Sequence, residues 1–307
     1  MIISTLSENQ SKDGLTMKIA VNVNGLLTDA ATATVSPLDR GFLFGEGVYE
    51  TLRTYNRRPF LLDRHLARLR ASANLISLKV PLDDSACQER LAETMTGVSD
   101  TKCELYLRIL LTRGVGDLTY DPNSCPTPTV MMMARPYVET SAKTVSNGIK
   151  IVLSSIIRNH PDALNPRIKS NNLLNNALAM QEAIRAGADE ALMCNYRGEI
   201  AECAQANIFL IRDGVALTPA LSTGLLEGVT RNFLFEVGAA ANVPVREAIL
   251  LPDDLSKADE VFITGTTREV LAVTSIDKTP VRDGRPGPIT ELLAKTFSEL
   301  ALAMTST

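Results

Sequence analysis

Extended-looking and helix-looking stretches come in blocks along this chain. From Lys18 to Asn22 a short alternating run leads into the turn Asn24-Gly25, and a second pair of extended runs, GVYETLRTYN and RRPFLLD, meets around Asn56. Asp63 reads as the cap of a helix reaching about Ile76, because Leu66, Leu69, Ala73 and Ile76 recur on one face. A second helix is predicted from Asp84 to Thr96, followed by the extended segments CELYLRILLTRG and PTVMMMARP. Blocks of this kind predict an α+β half.

Pro136 and the polar stretch VETSAKTVSNG then interrupt the pattern. They predict a linker over 137–146 that separates an N-terminal domain, 17–136, from a C-terminal one, 147–307. The second half reads as the strands IKIVLSS, DEALMCN, IAECAQANIFLIRDG, VALTP and EVFITG, with a helix after Gly228 and a last helix from about Pro288. Residues 1–16 read as a loose extension, and Met17 could be the functional start.

One helix breaks its own rules. Leu173 to Ile184 has helical spacing, yet Asn171, Asn172, Asn175 and Asn176 crowd its first turns, where asparagine is a poor helix former. Just upstream lies Lys169. A lysine before an amide-rich helix start could occupy a dry polar pocket, where desolvation and the nearby Arg167 would favour the neutral, nucleophilic amine. That is the requirement for a lysine that condenses with an aldehyde. A solvated lysine at a helix start is the plainer alternative on this segment alone.

Composition narrows the field. The chain has 307 residues, 45% of them hydrophobic and 21% charged, which describes a globular protein with room for two domains. A net charge of −4 offers no basic face for nucleic acid or anionic lipid. The N-terminal residues carry neither a signal peptide nor a membrane anchor, so no membrane association is expected. The five cysteines have no CxxC spacing, which indicates neither a disulfide framework nor a zinc site and suits a reducing, cytoplasmic setting. Two histidines leave little room for a Ser-His-Asp triad or for metal chemistry, so no metal is expected and the reactive group is expected to be brought in.

Several weak signals suggest what that group is. Arg68 and Arg70 lie on different helix faces, and an inward arginine could clamp a phosphate, although most such arginines are solvated. The glycine turn in LLEGVTR opens a helix whose amides near Val229 and Thr230 could face an anion, and Gly265, Thr266 and Thr267 in TGTTREV offer a second anion cup. Glu202, in GEIAECAQANIF, is a carboxylate that could keep a pyridine nitrogen protonated, or an ordinary glutamate at a strand end. The glycines of DRGFLFGEGVYE read best as a hairpin loop, since no strand precedes them as a dinucleotide fingerprint requires. Two cups, an arginine and a lysine together describe a phosphorylated aldehyde held at one end and bonded at the other.

These residues carry a family likeness. The ordered motifs DRGFLFGEGVYETLR, LDRHLARL, RIKSNNLL, GEIAECAQANIF, LLEGVTR and VFITGTTREV, spread from about Lys18 to Leu300, resemble the class IV, fold-type IV aminotransferases that use pyridoxal 5′-phosphate. That group includes branched-chain aminotransferases, D-amino-acid transaminases and aminodeoxychorismate lyase. The resemblance implies a two-domain α+β enzyme, with a smaller N-terminal α/β sandwich and a larger C-terminal domain built on a barrel-like sheet. It implies that Lys169 bonds the cofactor and serves as the catalytic group, that Glu202 meets the pyridine nitrogen, and that Arg68, Val229, Thr230 and Thr266 hold the phosphate. Thr267, Phe44, Tyr49, Tyr106 and Arg108 would contact substrate.

The resemblance also bears on substrate. Tyr106 and Arg108 match a YxR pattern that serves branched-chain enzymes in recognising both aliphatic side chains and the glutamate carboxylate. DRGFLFGEGVYE looks more like the D-amino-acid enzymes, with Tyr49 in place of phenylalanine. The arginine and histidine that those enzymes place after TRG are Leu118 and Tyr120 here, and Leu174 stands where many branched-chain enzymes have a tyrosine. The expectation is therefore ping-pong amino transfer between a branched-chain L-amino acid and 2-oxoglutarate. A D-amino-acid or (R)-amine transaminase is the alternative, then aminodeoxychorismate lyase, and, from another class, a non-catalytic cofactor-binding protein. The family likeness further implies a homodimer at least, with the loop from Gly114 to Tyr120 reaching a neighbouring subunit.

Overall fold

A computed structural model describes residues 18–306, so the expected N-terminal extension and the alternative start at Met17 lie outside the described residues. The first sheet is built from β1 (Ala20–Val23), β2 (Leu26–Asp29), β3 (Gly47–Tyr55), β4 (Arg58–Pro59), β5 (Leu105–Thr112) and β6 (Thr129–Pro136). They lie side by side in the order β2-β1-β6-β5-β3-β4, every pair antiparallel. Three helices accompany them: α1 (Arg40–Phe44), α2 (Leu62–Leu75) and α3 (Asp84–Thr96). Asn24 and Gly25 both have positive φ, 51° and 96°, which is the geometry a two-residue hairpin turn demands.

Strand alternation does the sorting in this half. Leu105, Leu107, Ile109 and Leu111 of β5 point into a core shared with Val48 and Leu52 of β3 and with Leu66, Leu69 and Ala73 of α2. The opposite face of β5 carries Tyr106 and Arg108, which are left to line a cavity. Asp63 is not a cap: α2 begins one residue earlier, after Leu61 in a left-handed conformation, and Asp63 lies in the first turn, where a carboxylate still favours the helix dipole. The glycines expected in a hairpin loop instead frame α1, capped by Asp39 and closed by Gly45 at φ 67°.

The second sheet uses only residues beyond 148. After α4 (Ala142–Asn147), which overlaps the second half of the stretch expected as a linker, come β7 (Ile149–Leu153), α5 (Leu174–Ala186), β8 (Glu190–Cys194), β9 (Ile200–Cys203), β10 (Asn207–Arg212) and β11 (Val215–Pro219). The chain continues through α6 (Val229–Ala240), β12 (Val245–Ala248), α7 (Pro252–Leu255), β13 (Glu260–Gly265), β14 (Glu269–Ile276), β15 (Thr279–Pro280) and α8 (Pro288–Met304). The order is β12-β11-β10-β13-β14-β7-β8-β9, with β15 paired to β14. The run expected as one long strand from Ile200 breaks at Ala204–Ala206, where Cys203 N–H reaches Ala206 O at 2.8 Å and the chain reverses.

The second sheet is curled into a half-barrel. Ile208 and Leu210 of β10 face its interior with Ile151, Leu192, Ile263 and Leu271. Phe209 and Ile211 face out against Phe233 of α6 and Phe297 of α8, so the unbroken hydrophobic run NIFLIR is buried on both faces. Tyr55, Phe60 and Leu61 from the first half enter that outer core, with Phe60 edge-on to Phe233 at 5.3 Å. The two sheets are thus fastened around a shared seam. Among the described residues no helix is long and apolar enough to cross a membrane.

Gly47 opens β3 where no side chain fits: a Cβ there would lie 2.6 Å from Asn171 Nδ2 and 2.7 Å from the Leu111 carbonyl oxygen. Gly47→Ala should lower stability by about 1–3 kcal/mol in urea unfolding, as overpacked sites do. An unchanged midpoint would show that the strand start can yield.

Candidate active site

Between β7 and α5 the chain runs through residues 154–173 without regular structure, and Lys169 sits near the end of that stretch. Its backbone is stitched to the first half of the molecule. Lys169 N–H donates to Ser72 Oγ of α2 at 3.1 Å, Tyr49 N–H of β3 donates to Lys169 O at 2.9 Å, and Asn171 N–H donates to Gly47 O at 2.9 Å. β4 pairs only with the last two residues of β3, so the start of β3 has an open edge, which the Lys169 segment occupies through a bridge between Val48 and Ser170. The side chain enters a cavity of about 680 Å³ between the two halves.

Buried charges set the state of that amine. Glu50 of β3 takes two hydrogen bonds from Arg68, each 2.7 Å, and lies 2.7 Å from His65 Nδ1. Burial alone would raise the Glu50 carboxyl, but Arg68 and His65 more than offset it and hold it down to about 2. Burial keeps His65 below the usual imidazole range, so a neutral ring donates to Glu50. The Lys169 amine is brought down to about 8, first by burial and then by Arg68, partly offset by Glu50 and Glu202. Arg108 adds a smaller push in the same direction. The positive neighbour expected from sequence was Arg167, but that side chain is over half exposed and turns to Glu227 at 3.5 Å. Lys169 Nζ lies 4.6 Å from the Tyr49 ring centre, and the Arg108 guanidinium covers the same ring at 4.1 Å.

Two of the crowded asparagines find their reasons. Asn175 accepts from Arg158 at 3.1 Å and donates to Ile157 O at 2.8 Å, while Asn176 donates to Ala204 O at 2.7 Å. Arg158 in turn donates to Glu202 Oε1 at 2.7 Å, both side chains being buried. Glu202 Oε2 has only a long contact of 3.5 Å with Asn207 Nδ2, which leaves it able to accept from a group in the cavity.

Opposite Lys169, α6 begins at Val229 with no side chain capping it, so its first amides are without intrahelical acceptors, and Val229 and Thr230 line the cavity. The turn is pressed against Asn207 so closely that a Cβ on Gly228 would collide with Asn207 Oδ1. Thr264 Oγ1 is buried without a hydrogen-bond partner and belongs to the same wall as Thr266 and Thr267. An uncapped helix start, an orphaned hydroxyl and a lysine with a depressed pKa together fit pyridoxal 5′-phosphate: anion at one end, aldehyde at the other.

Of the residues singled out from sequence, Arg68, Lys169, Glu202, Val229, Thr230, Thr266, Thr267, Tyr49, Tyr106 and Arg108 all line this one cavity. Phe44 does not. It packs on Tyr120, ring centres 5.3 Å apart, outside the wall. Leu174 also lies outside and is mostly exposed, while its neighbour Leu173 lines the cavity. Glu50, His65 and Arg158 had no role from sequence. For Glu50 a signal existed, since it shares a strand face with Val48 and Leu52; for Arg158, in an irregular segment, there was none.

Known proteins are similar to this chain in sequence and fold. The profile of the family Amino-transferase class IV matches residues 47–276. A Methanocaldococcus jannaschii protein with the provisional name branched-chain-amino-acid aminotransferase is 35% identical over 280 residues, which cover 91% of this chain and 96% of its own. D-alanine aminotransferase of Listeria monocytogenes is 36% identical over 282 residues, 91% of this chain and 95% of its own. A branched-chain amino acid aminotransferase from the source abbreviated T.th., solved with pyridoxamine 5′-phosphate, superposes with a TM-score of 0.87 at 29% identity, over 92% of this chain and 94% of its own. In complex with N-(5′-phosphopyridoxyl)-L-glutamate that enzyme gives 0.85 at 30% identity, with the same coverage of 92% and 94%.

An amine that loses its proton near pH 8 makes a kinetic prediction. Only the neutral amine attacks an aldehyde, so pyridoxal 5′-phosphate uptake by cofactor-free protein should quicken about tenfold per pH unit below about pH 8 and level off above it. Stopped-flow absorbance of the yellow product measures this. A rise that continues unbroken beyond pH 10 would mean an unshifted lysine.

Proposed function

The chain belongs to the class IV amino-transferase family, and from that premise we propose that it transfers amino groups from branched-chain L-amino acids to 2-oxoglutarate in a ping-pong reaction. The family makes it an enzyme, which sets aside the non-catalytic reading, and its cofactor is pyridoxal 5′-phosphate. The observation that carries the proposal is that the Lys169 amine shares one cavity with Glu202 and the uncapped start of α6.

Bound pyridoxal 5′-phosphate supplies an aldehyde that exchanges amines and a pyridine ring that draws electron density from the substrate's α-carbon. Lys169 would hold its aldehyde end, Glu202 its ring nitrogen, and Arg68, Val229, Thr230 and Thr266 its phosphate. With a pKa of about 8, roughly one Lys169 in ten is neutral at pH 7, against roughly one in 2,500 for an ordinary lysine. The free amine would take the proton from the substrate's α-carbon as base and deliver it as acid to the carbon that had been the cofactor's aldehyde. Arg158 fixes Glu202 by a buried ion pair, so the carboxylate cannot swing from its place. Glu50 fixes Arg68 through both of its oxygens.

Substrate choice rests on the cavity face of β5. Tyr106 and Arg108 are two residues apart on one strand face, and the guanidinium lies over the Tyr49 ring, so apolar surface and a cation adjoin. Such a pair suits an aliphatic side chain in one half-reaction and a carboxylate in the other. A D-amino-acid substrate is the second reading, favoured by the Listeria relative and by Tyr49. Against it, Leu118 cannot bind a carboxylate, and both Leu118 and Tyr120 are exposed. A homodimer is part of the proposal, supported by the exposed apolar side chains of Phe42, Leu118 and Tyr120. A reducing, cytoplasmic setting is part of the same reading, supported by five scattered cysteines, odd in number and without CxxC spacing.

Lys169→Ala should cut turnover by about 10²–10⁴-fold with an unchanged circular-dichroism spectrum. In the unaltered enzyme, L-leucine should bleach the yellow absorbance and D-alanine should not. The reverse result assigns the enzyme to D-amino acids.

A further inference from the structure

The turn from Gly265 to Glu269, which carries Thr266 and Thr267, joins β13 to β14 as a tight hairpin, with Arg268 N–H on Gly265 O at 3.0 Å. Its closing position needs a left-handed residue, and the usual choice is glycine or asparagine. Here it is Glu269, at φ 52°. A side chain retained in a conformation that works against it calls for a use.

The carboxylate has one. Glu269 Oε1 accepts from Arg53 at 2.6 Å and from the Tyr55 hydroxyl at 2.5 Å, and Oε2 accepts from Ser298 at 3.4 Å. Arg53 is almost fully buried, its guanidinium 4.2 Å from the Tyr55 ring centre and 3.9 Å from that of Tyr137. Glu139 takes a further hydrogen bond from Arg53 at 3.2 Å. Tyr137, just beyond the end of β6, donates its hydroxyl to Thr267 O at 2.7 Å. On the other side of the same turn, Arg268 donates to the buried Glu190 of β8 at 2.8 Å. Residues of the first sheet therefore grip the turn at Thr267 and Glu269, while the second sheet grips it at Arg268.

We propose that Arg53, Glu269 and Tyr137 form a positioning clamp that fixes the Thr266–Thr267 turn against the cavity wall of the first half and thereby sets the affinity for the substrate's carboxylate. The clamp rests on the reading that Thr267 of this turn contacts the substrate, here through its α-carboxylate, while Thr266 is left to the cofactor's phosphate. It touches neither Lys169 nor the bound aldehyde, so its loss weakens ground-state binding and leaves the proton-transfer group in place. An ion pair with merely structural work would move the melting temperature and nothing else.

The test uses Tyr137→Phe and Glu269→Gln in the cofactor-loaded enzyme, titrated calorimetrically with 4-methylpentanoate. This probe has the carboxylate and branched tail but no amine and no chiral centre, so it reports the carboxylate seat whichever amino-acid configuration the enzyme uses. The expected result is a Kd raised about threefold to tenfold in each variant, the size of one lost hydrogen bond, with the yellow absorbance retained. A Kd that moves less than threefold in folded, cofactor-loaded Tyr137→Phe overturns the clamp, whatever Glu269→Gln does. Absence of probe binding to the unaltered enzyme overturns the carboxylate seat and the clamp with it. If L-leucine fails as donor while the unaltered enzyme binds the probe and the variants bind it weakly, the clamp stands and only the substrate assignment falls.

Discussion

Lys169 is useful because its backbone is paired with a strand of the other half of the molecule. The segment 169–171 fills the open edge of β3 through Tyr49 N–H, Gly47 O and the Val48–Ser170 bridge. Backbone pairing of this kind satisfies polar groups that would otherwise be stranded beside the cavity. It also fixes the point from which the side chain departs. Glycine at 47 is part of the same constraint, since the Leu111 carbonyl on one side and Asn171 on the other leave no volume for a methyl group. The asparagines at the start of α5 then tie the far side of the segment to Arg158, Ile157 and Ala204.

Around this fixed lysine the buried charges are arranged to cancel locally while leaving the amine poor in protons. Glu50 is fully buried, and it remains charged because Arg68 grips both oxygens and His65 adds a third contact. An isolated carboxylate there would be prohibitively costly, whereas one paired and hydrogen-bonded is tolerated. Arg68 then does two things at once, neutralising Glu50 and discouraging a second cation at Lys169. Glu202 with Arg158 is a second closed pair. The cavity thus presents a base beside two closed ion pairs, with the Arg108 guanidinium as a further cation in its wall.

The first half contributes by its spare sheet face. One face of β3 and β5 is consumed in packing on α2 and α3, and the other presents Tyr49, Arg53, Tyr106 and Arg108 toward the second half. The period of two in a strand makes this division automatic. The curled second sheet supplies the remaining walls through a broken strand at Ala204–Ala206, the first turn of α6 and the hairpin at Thr266–Thr267. The Phe60–Phe233–Phe297 aromatic cluster keeps the halves at a fixed spacing.

The sequence by itself determined the elements whose patterns are local: the Asn24-Gly25 hairpin, the stripe of α2, the alternation of β5 and the uncapped glycine start of α6. Its ordered motifs also singled out Lys169 and Glu202, which the fold brings into one cavity. Where local signals competed it was less informative. Asp63 looks like a cap until the left-handed Leu61 starts the helix earlier, and DRGFLFG looks like a loop until Asp39 and Gly45 close a short helix. Only the tertiary structure decided which cation lowers the lysine, Arg68 in place of Arg167, and that Phe44 turns away toward Tyr120. It alone revealed that Arg53, 216 residues from Glu269, braces the turn bearing Thr266 and Thr267. The physical reason is range: periodicity and capping act within a few residues, whereas desolvation and ion pairing depend on which distant side chains share a volume from which water is excluded.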